Sequence, residues 1–334
     1  MAYELFVDSF DTGVSAERWS LFQGNITPSI TIPSVGNGRH GSASGRISGM
    51  FPNGFGGFRS RYVTASTHLV VGAAVRRNLS TNLALLGFLS TATGGPDVRL
   101  GSNGLLQYYR GSGPVVTTDF AVAHGAWYYL ELGVVIGASG SLEIRVNKTP
   151  VVSVSGIDTR PAGSATTCNA AQMYMAGGNP IGSVDFEDFY IAYGDELKWL
   201  GDIRVDELPL TGNATPQDWT PDSGSAWERL NTDAGYITGT DVGDASLFDI
   251  ASFTPATINI HAVQLTGKAR KTDTGSKSIA LQVKSGSTID VGPDLALSDT
   301  TLAYTSTFEQ DPGTGAAWTD SALNALKVGV KVTA

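Results

Sequence analysis

The sequence predicts an all-β protein built as a sandwich followed by a second, smaller β-sandwich-like domain with a short helix. Three observations carry this. Apolar residues recur at every second position through long stretches, the period of half-buried strands. Of 334 residues, 41 are glycine and 14 proline, the residues that make tight turns. Only 16% are charged against 41% hydrophobic, a balance that packs a core instead of staying disordered.

The alternation is plainest from Trp127 to Val154. Tyr128, Leu130, Leu132, Val134 and Ile136 share one side, and Leu142, Ile144 and Val146 repeat the pattern with Glu143, Arg145 and Asn147 opposite. Gly137-Ala138-Ser139-Gly140-Ser141 and Asn147-Lys148-Thr149-Pro150 reverse the chain. Three consecutive antiparallel strands are expected.

From the N-terminus, Glu4 to Phe10 reads as an opening strand, Asp11-Thr12-Gly13 as a turn, and Trp19 as an aromatic plug for the end of the sandwich. Gly36 to Gly57 reads as loops, because its glycines match neither GxxxxGK[ST] nor a strand-to-helix GxGxxG. Phe58 to Arg77 is a strand region whose Leu69 to Val75 is apolar enough to be covered on both faces. Leu83 to Leu89 and Val98 to Leu100 continue it. Asn103-Gly104 suits a type I′ turn, which needs positive φ at both central residues, and Leu105 to Tyr109 returns. Met173 to Met175 and Val184 to Tyr193 add strands. In the last, Val184 and Phe186 are out of phase with Phe189, Ile191 and Tyr193, so a β-bulge is expected near Glu187-Asp188. Roughly ten strands by Tyr193 suit a jelly roll of two packed sheets.

Between Tyr193 and Trp227 the texture becomes turn-rich, and the boundary is placed there, giving domains 1–196 and 197–334. Strands are expected at Phe248 to Ile250, Ile258 to Leu265, Ile279 to Lys284, Thr301 to Phe308 and Val328 to Val332, with Thr272-Asp273-Thr274-Gly275 as a hairpin loop. Only Thr319 to Leu326 reads as helix, with Thr319 as N-cap.

Two resemblances follow from these segments. Asp8-Ser9-Phe10 in the opening strand, Trp127 to Leu130, Val146-Asn147 before Val151, and the closing Val184-Asp185-Phe186-Glu187-Asp188-Phe189-Tyr190 resemble the concanavalin A-like or laminin G-like jelly roll. That family includes lectins, glycosidases and structural modules, so the fold alone fixes no function. Trp219 to Asn231, His261 to Val283 and Phe308 to Val332 resemble a module recurring in virion proteins of tailed bacteriophages.

Chemistry-bearing residues are sparse. The carboxylates nearest to a glycosidase pair are Asp185, Glu187 and Asp188, but they lack the E-x-D-x-x-E or E-x-D-x-E order and read as solvent-facing acids between buried aromatics. His40, His68, His124 and His261 are scattered and form neither a zinc motif nor a triad, and each reads as a surface or loop residue. Asp202, Asp206, Asp218, Asp222, Asp241 and Asp244 form no calcium loop and read as turn formers. Trp219 and Trp227 suit either sugar stacking or the edge of the second sandwich, and burial is the commoner fate of large aromatics. Cys168 has no partner cysteine and reads as a small buried hydrophobe. A formal charge of -9 argues against a nucleic-acid partner. MAYELFVDSF has neither the charged leader nor the apolar run of a signal peptide, and no stretch approaches the ~20 apolar residues of a membrane span.

With no catalytic, cofactor or metal set in view and no binding residues singled out, the expectation is a non-enzymatic structural component of a tailed-phage virion. The resemblance places it in the tail or on the capsid surface, assembled in the host cytoplasm and self-associating through interfaces with its copies and other virion proteins. The alternative is a carbohydrate-binding protein that adheres to a host glycan, and a third reading is a glycosidase acting through Glu187.

Overall fold

Alternation along the long strands gives each one an apolar face, and two sheets bury those faces against each other. The computed structural model describes residues 3–10, 19–23, 29–31, 34, 36, 38–40, 43–48, 54–60, 63–79, 83–90, 93–101, 104–110, 113–161, 165–177, 182–232, 235–254 and 259–334. They form two compact units, Met1–Asp206 and Glu207–Ala334. The division falls after Asp206, later than the expected 196/197, because Trp199 to Val205 lies against a sheet of the first unit.

The first unit begins with β1 (Tyr3–Asp8), β2 (Trp19–Gln23), β3 (Ser29–Thr31), β4 (Gly45–Ser48) and β5 (Gly54–Ser60). Then come β6 (His68–Leu79), β7 (Leu83–Ser90), β8 (Thr93–Leu100), β9 (Leu105–Arg110) and β10 (Gly113–Ala121). β11 (Trp127–Val135), β12 (Gly140–Val146), β13 (Thr149–Ile157), β14 (Ala170–Gly177) and β15 (Gly182–Gly194) complete it. Among the described residues, one sheet has eight strands in the order β13-β12-β11-β6-β15-β4-β3, with β1 also on β15. The other has seven, β10-β9-β8-β7-β14-β5-β2. This is the jelly-roll sandwich that the alternation predicts. The expected loop region from Gly36 to Gly57 is corrected: Gly45–Ser48 is β4, and Gly54 to Gly57 opens β5. Asn103 lies outside the described residues, but the hairpin it was assigned to joins β8 and β9, with Leu100 opposite Leu106.

The core lies between the sheets. Leu69, Val71 and Val75 from β6, Leu130, Leu132 and Val134 from β11, and Leu142, Ile144 and Val146 from β12 meet Phe88, Val98, Leu106, Tyr108 and Met173 from the other sheet. Trp19 is the expected plug. It is 1% exposed, its ring centroid lies 4.8 Å from Phe189 and 5.1 Å from Phe10, and its indole N–H donates to Asp8 Oδ2 at 2.8 Å. Cys168 is fully buried, which pushes its thiol up to about 12.

β15 shows how phase and register cooperate. Its Ser183 to Phe186 half pairs with β4 and its Phe189 to Gly194 half with β1, while β6 runs along the opposite edge with a register shift between Glu187 and Tyr190. Asp188 takes a positive φ of 51 at that point. The bulge turns Val184 and Phe186 before it, and Phe189, Ile191 and Tyr193 after it, into the same core.

The second unit opens with β16 (Leu210–Gln217), β17 (Thr220–Pro221), α1 (Ala226–Leu230), β18 (Ile237–Thr238) and β19 (Ala245–Ile250). β20 (Val263–Ala269), β21 (Ser278–Ser285), β22 (Thr288–Val291), β23 (Leu295–Ala296) and β24 (Leu302–Phe308) precede α2 (Asp320–Asn324) and β25 (Lys327–Val332). A six-stranded sheet, β16-β19-β25-β21-β22 with β23 on β21, is accompanied by the pairs β17-β18 and β20-β24. Phe248, Val283, Phe308, Trp318, Leu323, Leu326 and Val328 form its core. Thr319 caps α2, its side chain accepting from Ala322 N at 3.2 Å. Two expectations are corrected. Thr272 to Gly275 does not close a hairpin, since β20 pairs with β24 and β21 with β25; and Ala226–Leu230 is a second short helix. Among the described residues no helix is long and apolar enough to cross a membrane.

Candidate functional site

The outer faces of the two sheets differ in chemistry. On the seven-stranded sheet, Met173, Val98, Leu106 and Tyr108 point into the core, so alternation turns Gln172, Tyr174, Asp97, Arg99, Gln107 and Tyr109 outward. Register lines them up across the strands: Gln172 lies opposite Gly87, Gly87 opposite Asp97, Asp97 opposite Tyr109, and Arg99 opposite Gln107, which faces Thr117.

These side chains bond in series. The Tyr174 hydroxyl donates to Asp97 Oδ2 at 2.6 Å, and Arg99 grips the same carboxylate through Nε at 2.7 Å and Nη2 at 3.0 Å. The Arg99 guanidinium lies 4.1 Å from the Tyr109 ring centroid. Tyr109 donates to Gln107 Oε1 at 3.4 Å, and Gln107 donates to Thr117 Oγ1 at 3.2 Å. The result is a polar spine from β14 to β10 that passes over β7. β7 contributes only Gly87 there: a Cβ on it would lie 2.6 Å from Asp97 Cβ, so the missing side chain is what leaves Asp97 its place beneath Tyr174.

The spine is graded in exposure. Asp97 and Tyr174 are buried, whereas Arg99, Gln107 and Tyr109 are half-buried. Burial raises the Asp97 pKa, opposed by the Arg99 hydrogen bonds, and burial likewise holds the Tyr174 phenol protonated far above neutrality. Burial pulls Arg99 down, but the Asp97 carboxylate more than offsets it, so the guanidinium stays charged. Arg59 of β5 extends the same face, opposite Gln172. The alternation of Asp97-Val98-Arg99 and Leu105 to Tyr109 carried this arrangement in the sequence, but the pairing of β14 with β7 did not show there.

The outer face of the eight-stranded sheet is closed instead. Asp185, Glu187 and Asp188 are 0%, 2% and 1% exposed, which corrects their reading as solvent-facing acids. Asp185 accepts from Arg46 Nε at 2.6 Å, Arg76 Nε at 3.0 Å and Asn78 at 3.2 Å, and Glu187 accepts the Arg39 backbone N–H. An acid locked in that way does not serve as a free glycosidase carboxylate. His40 is exposed, as expected, with Nε2 3.6 Å from Asp188 Oδ2. His68 opens β6.

In the second unit Trp219 and Trp227 are packing residues. Trp219 donates to Asp244 O at 3.2 Å and its ring lies against Gly239, where a Cβ would be 2.5 Å away, while Trp227 packs on the core. Asp244 ties its own turn by accepting from Thr240 and Asp241 N–H groups. Among the described residues no group of three or more His, Cys, Asp or Glu is placed to hold a metal ion.

No family model and no curated relative matches the sequence. Solved structures with a similar chain path include a cellulose-induced protein, at 19% identity and TM-score 0.43, covering 58% of this chain and 99% of that one. An endo-β-1,4-glucuronan lyase from the fungus Trichoderma reesei matches at 13% identity and TM-score 0.36, over 50% of this chain and 87% of its own. An alginate lyase matches at 16% and 0.35, over 47% and 83%. At this similarity they say nothing of individual residues or of what this chain does. Two expectations are corrected against them: none of the three is named as a virion component, so the structural virion role is not retained, and two are named as lyases, so the non-enzymatic reading is not retained either.

Proposed function

We propose that the first unit binds a carbohydrate chain across the outer face of the seven-stranded sheet. The observation that supports this is the spine Tyr174–Asp97–Arg99–Tyr109–Gln107–Thr117, fixed donors and acceptors in series along one row of strands, buried at Tyr174 and Asp97 and increasingly exposed towards Thr117. Sugar hydroxyls are read by such fixed polar groups, and a planar group such as Tyr109 or Arg99 offers a surface for the C–H face of a ring. Preorganisation favours binding, because the side chains are already held by one another and lose little freedom when the ligand arrives.

The test is a glycan array that includes neutral and acidic polysaccharides and host-cell glycans, followed by calorimetry on any chain retained. Arg99→Ala and Tyr109→Ala are expected to weaken binding about tenfold or more each, the effect of roughly 1.4 kcal/mol. A wild-type protein that retains nothing on the panel, or variants that bind as wild type does, would remove the proposal.

A further inference from the structure

The closed face of the eight-stranded sheet is covered by residues 199–205, and the contacts that hold them converge on two carboxyl groups. Gly201 N donates to Glu131 Oε1 at 2.8 Å, and Tyr190, which also donates to Glu131, accepts from Leu200 N at 3.2 Å. Val205 N donates to Asp188 Oδ1 at 2.9 Å. Asp202 receives Arg39 Nη1 at 2.5 Å and Nη2 at 2.7 Å. Trp199 lies over Gly133, with the Arg145 guanidinium 3.9 Å from its ring centroid.

Both carboxyl groups are 1% exposed, and in each the second oxygen, Glu131 Oε2 and Asp188 Oδ2, has no hydrogen-bond donor among the described residues. Burying an ionised carboxylate with half its acceptor capacity unmet is costly, and the protonated acid avoids that cost. The surrounding charges do not cancel it. Asp188 faces Glu187 on its own strand, Arg39 at 3.9 Å and His40 at 3.6 Å from the loop before β4, the Tyr129 hydroxyl bonded to its carbonyl from β11, and Asp202 from the covering segment. Arg39 is already committed to Asp202, and burial followed by the nearness of Arg39 lowers His40, so it is neutral where compensation would be needed. Glu131 faces Tyr190, Arg145 and Asp202.

We propose that residues 199–205 form an acid-locked strap, docked on the sheet while Asp188 and Glu131 carry their protons and lifting as those groups ionise. The direction follows from linkage. Burial raises Asp188 to about 7, with the backbone bond from Val205 opposing, and raises Glu131 as well. A carboxyl whose docked pKa lies above its free value favours docking below that free value, and the advantage is lost as pH rises from the ordinary carboxylate range through about 7. The strap ends at the boundary between the two units, so its release lengthens the tether to the second.

Hydrogen–deuterium exchange on the full chain tests this at peptide resolution over 199–205, at pH 5.5 and 8, corrected for intrinsic exchange. Opening is expected to increase about tenfold or more at the higher pH. Asp188→Asn keeps the acceptor for Val205 and tolerates the positive φ, and should markedly reduce the difference in protection between the two values, leaving only the part carried by Glu131. Equal protection in wild type at both pH values overturns the proposal, as does an unchanged dependence in Asp188→Asn. Should that variant fail to fold, the wild-type comparison decides alone, with Glu131→Gln expected to reduce the pH dependence.

Discussion

Gly133→Ala tests how closely the strap is fitted. A Cβ at this position would lie 2.4 Å from Cζ2 and Cη2 of Trp199, where ordinary contact is 3.4 to 4 Å, so the indole has to withdraw by about 1 Å or more. It cannot withdraw alone, because its ring also stacks with the Arg145 guanidinium and the neighbouring amides of Leu200 and Gly201 are bonded to Tyr190 and Glu131. Overpacking of this kind costs about 1–3 kcal/mol, and the displaced cation–π contact adds about 0.5–1. Trp199→Ala is expected to cost about 2 kcal/mol, less than a fully buried tryptophan, because the ring is only half-buried. In the Trp199→Ala background Gly133→Ala should cost nothing, and replacing a strand glycine should return about 0.5 kcal/mol. Urea unfolding of the four proteins at pH 5.5, where the strap is docked, should therefore give a coupling energy of about 1.5–4 kcal/mol. Single costs that simply add within about 0.5 kcal/mol would refute the argument that Gly133 is the seat of Trp199.

Trp19→Phe should destabilise the first unit by about 2–4 kcal/mol, since it removes volume beside Phe189 and Phe10 and the indole N–H that Asp8 accepts; thermal unfolding would check it. Thr319→Ala should cost about 1 kcal/mol through loss of the cap on Ala322 N, with faster amide exchange over 320–332 and none over the first unit. Gly87→Ala should push Asp97 away from Tyr174, lowering glycan affinity and stability by about 1–3 kcal/mol together; unchanged calorimetric affinity would show that the spine is not the binding surface.

Much of the fold was legible because period and phase are local. The run from Trp127 to Val154 announces β11 to β13, and the shift of phase at Glu187-Asp188 announces the bulge two residues ahead of where the ladder resumes at Tyr190. What stayed hidden depends on pairing between strands far apart in sequence. Gly54 to Gly57 has too little apolar content to declare itself a strand, yet it is stitched between β14 and β2. The polar spine was hidden for the same reason: Tyr174 and Asp97 are 77 positions apart, and nothing local brings them within a hydrogen bond. The compact units divide later than 196/197 because turn-rich composition marks where regular strands stop, and Trp199 to Val205 is irregular backbone that is nonetheless packed.

Two glycines separate the roles of the two faces. Gly87 and Gly133 each lie mid-strand on an outer face, where the lack of a side chain weakens the sheet unless something else uses the space. At Gly133 the space is filled from the same chain by Trp199, and that face becomes a closed, strap-covered layer holding buried acids. At Gly87 it is filled by Asp97, which draws Tyr174 and Arg99 together and leaves Arg99, Tyr109 and Gln107 partly exposed along the row. Arg99, Tyr109 and Gln107 thus stand half-buried in one row on the seven-stranded face, whereas on the eight-stranded face residues 199–205 lie over the buried Glu131 and Asp188.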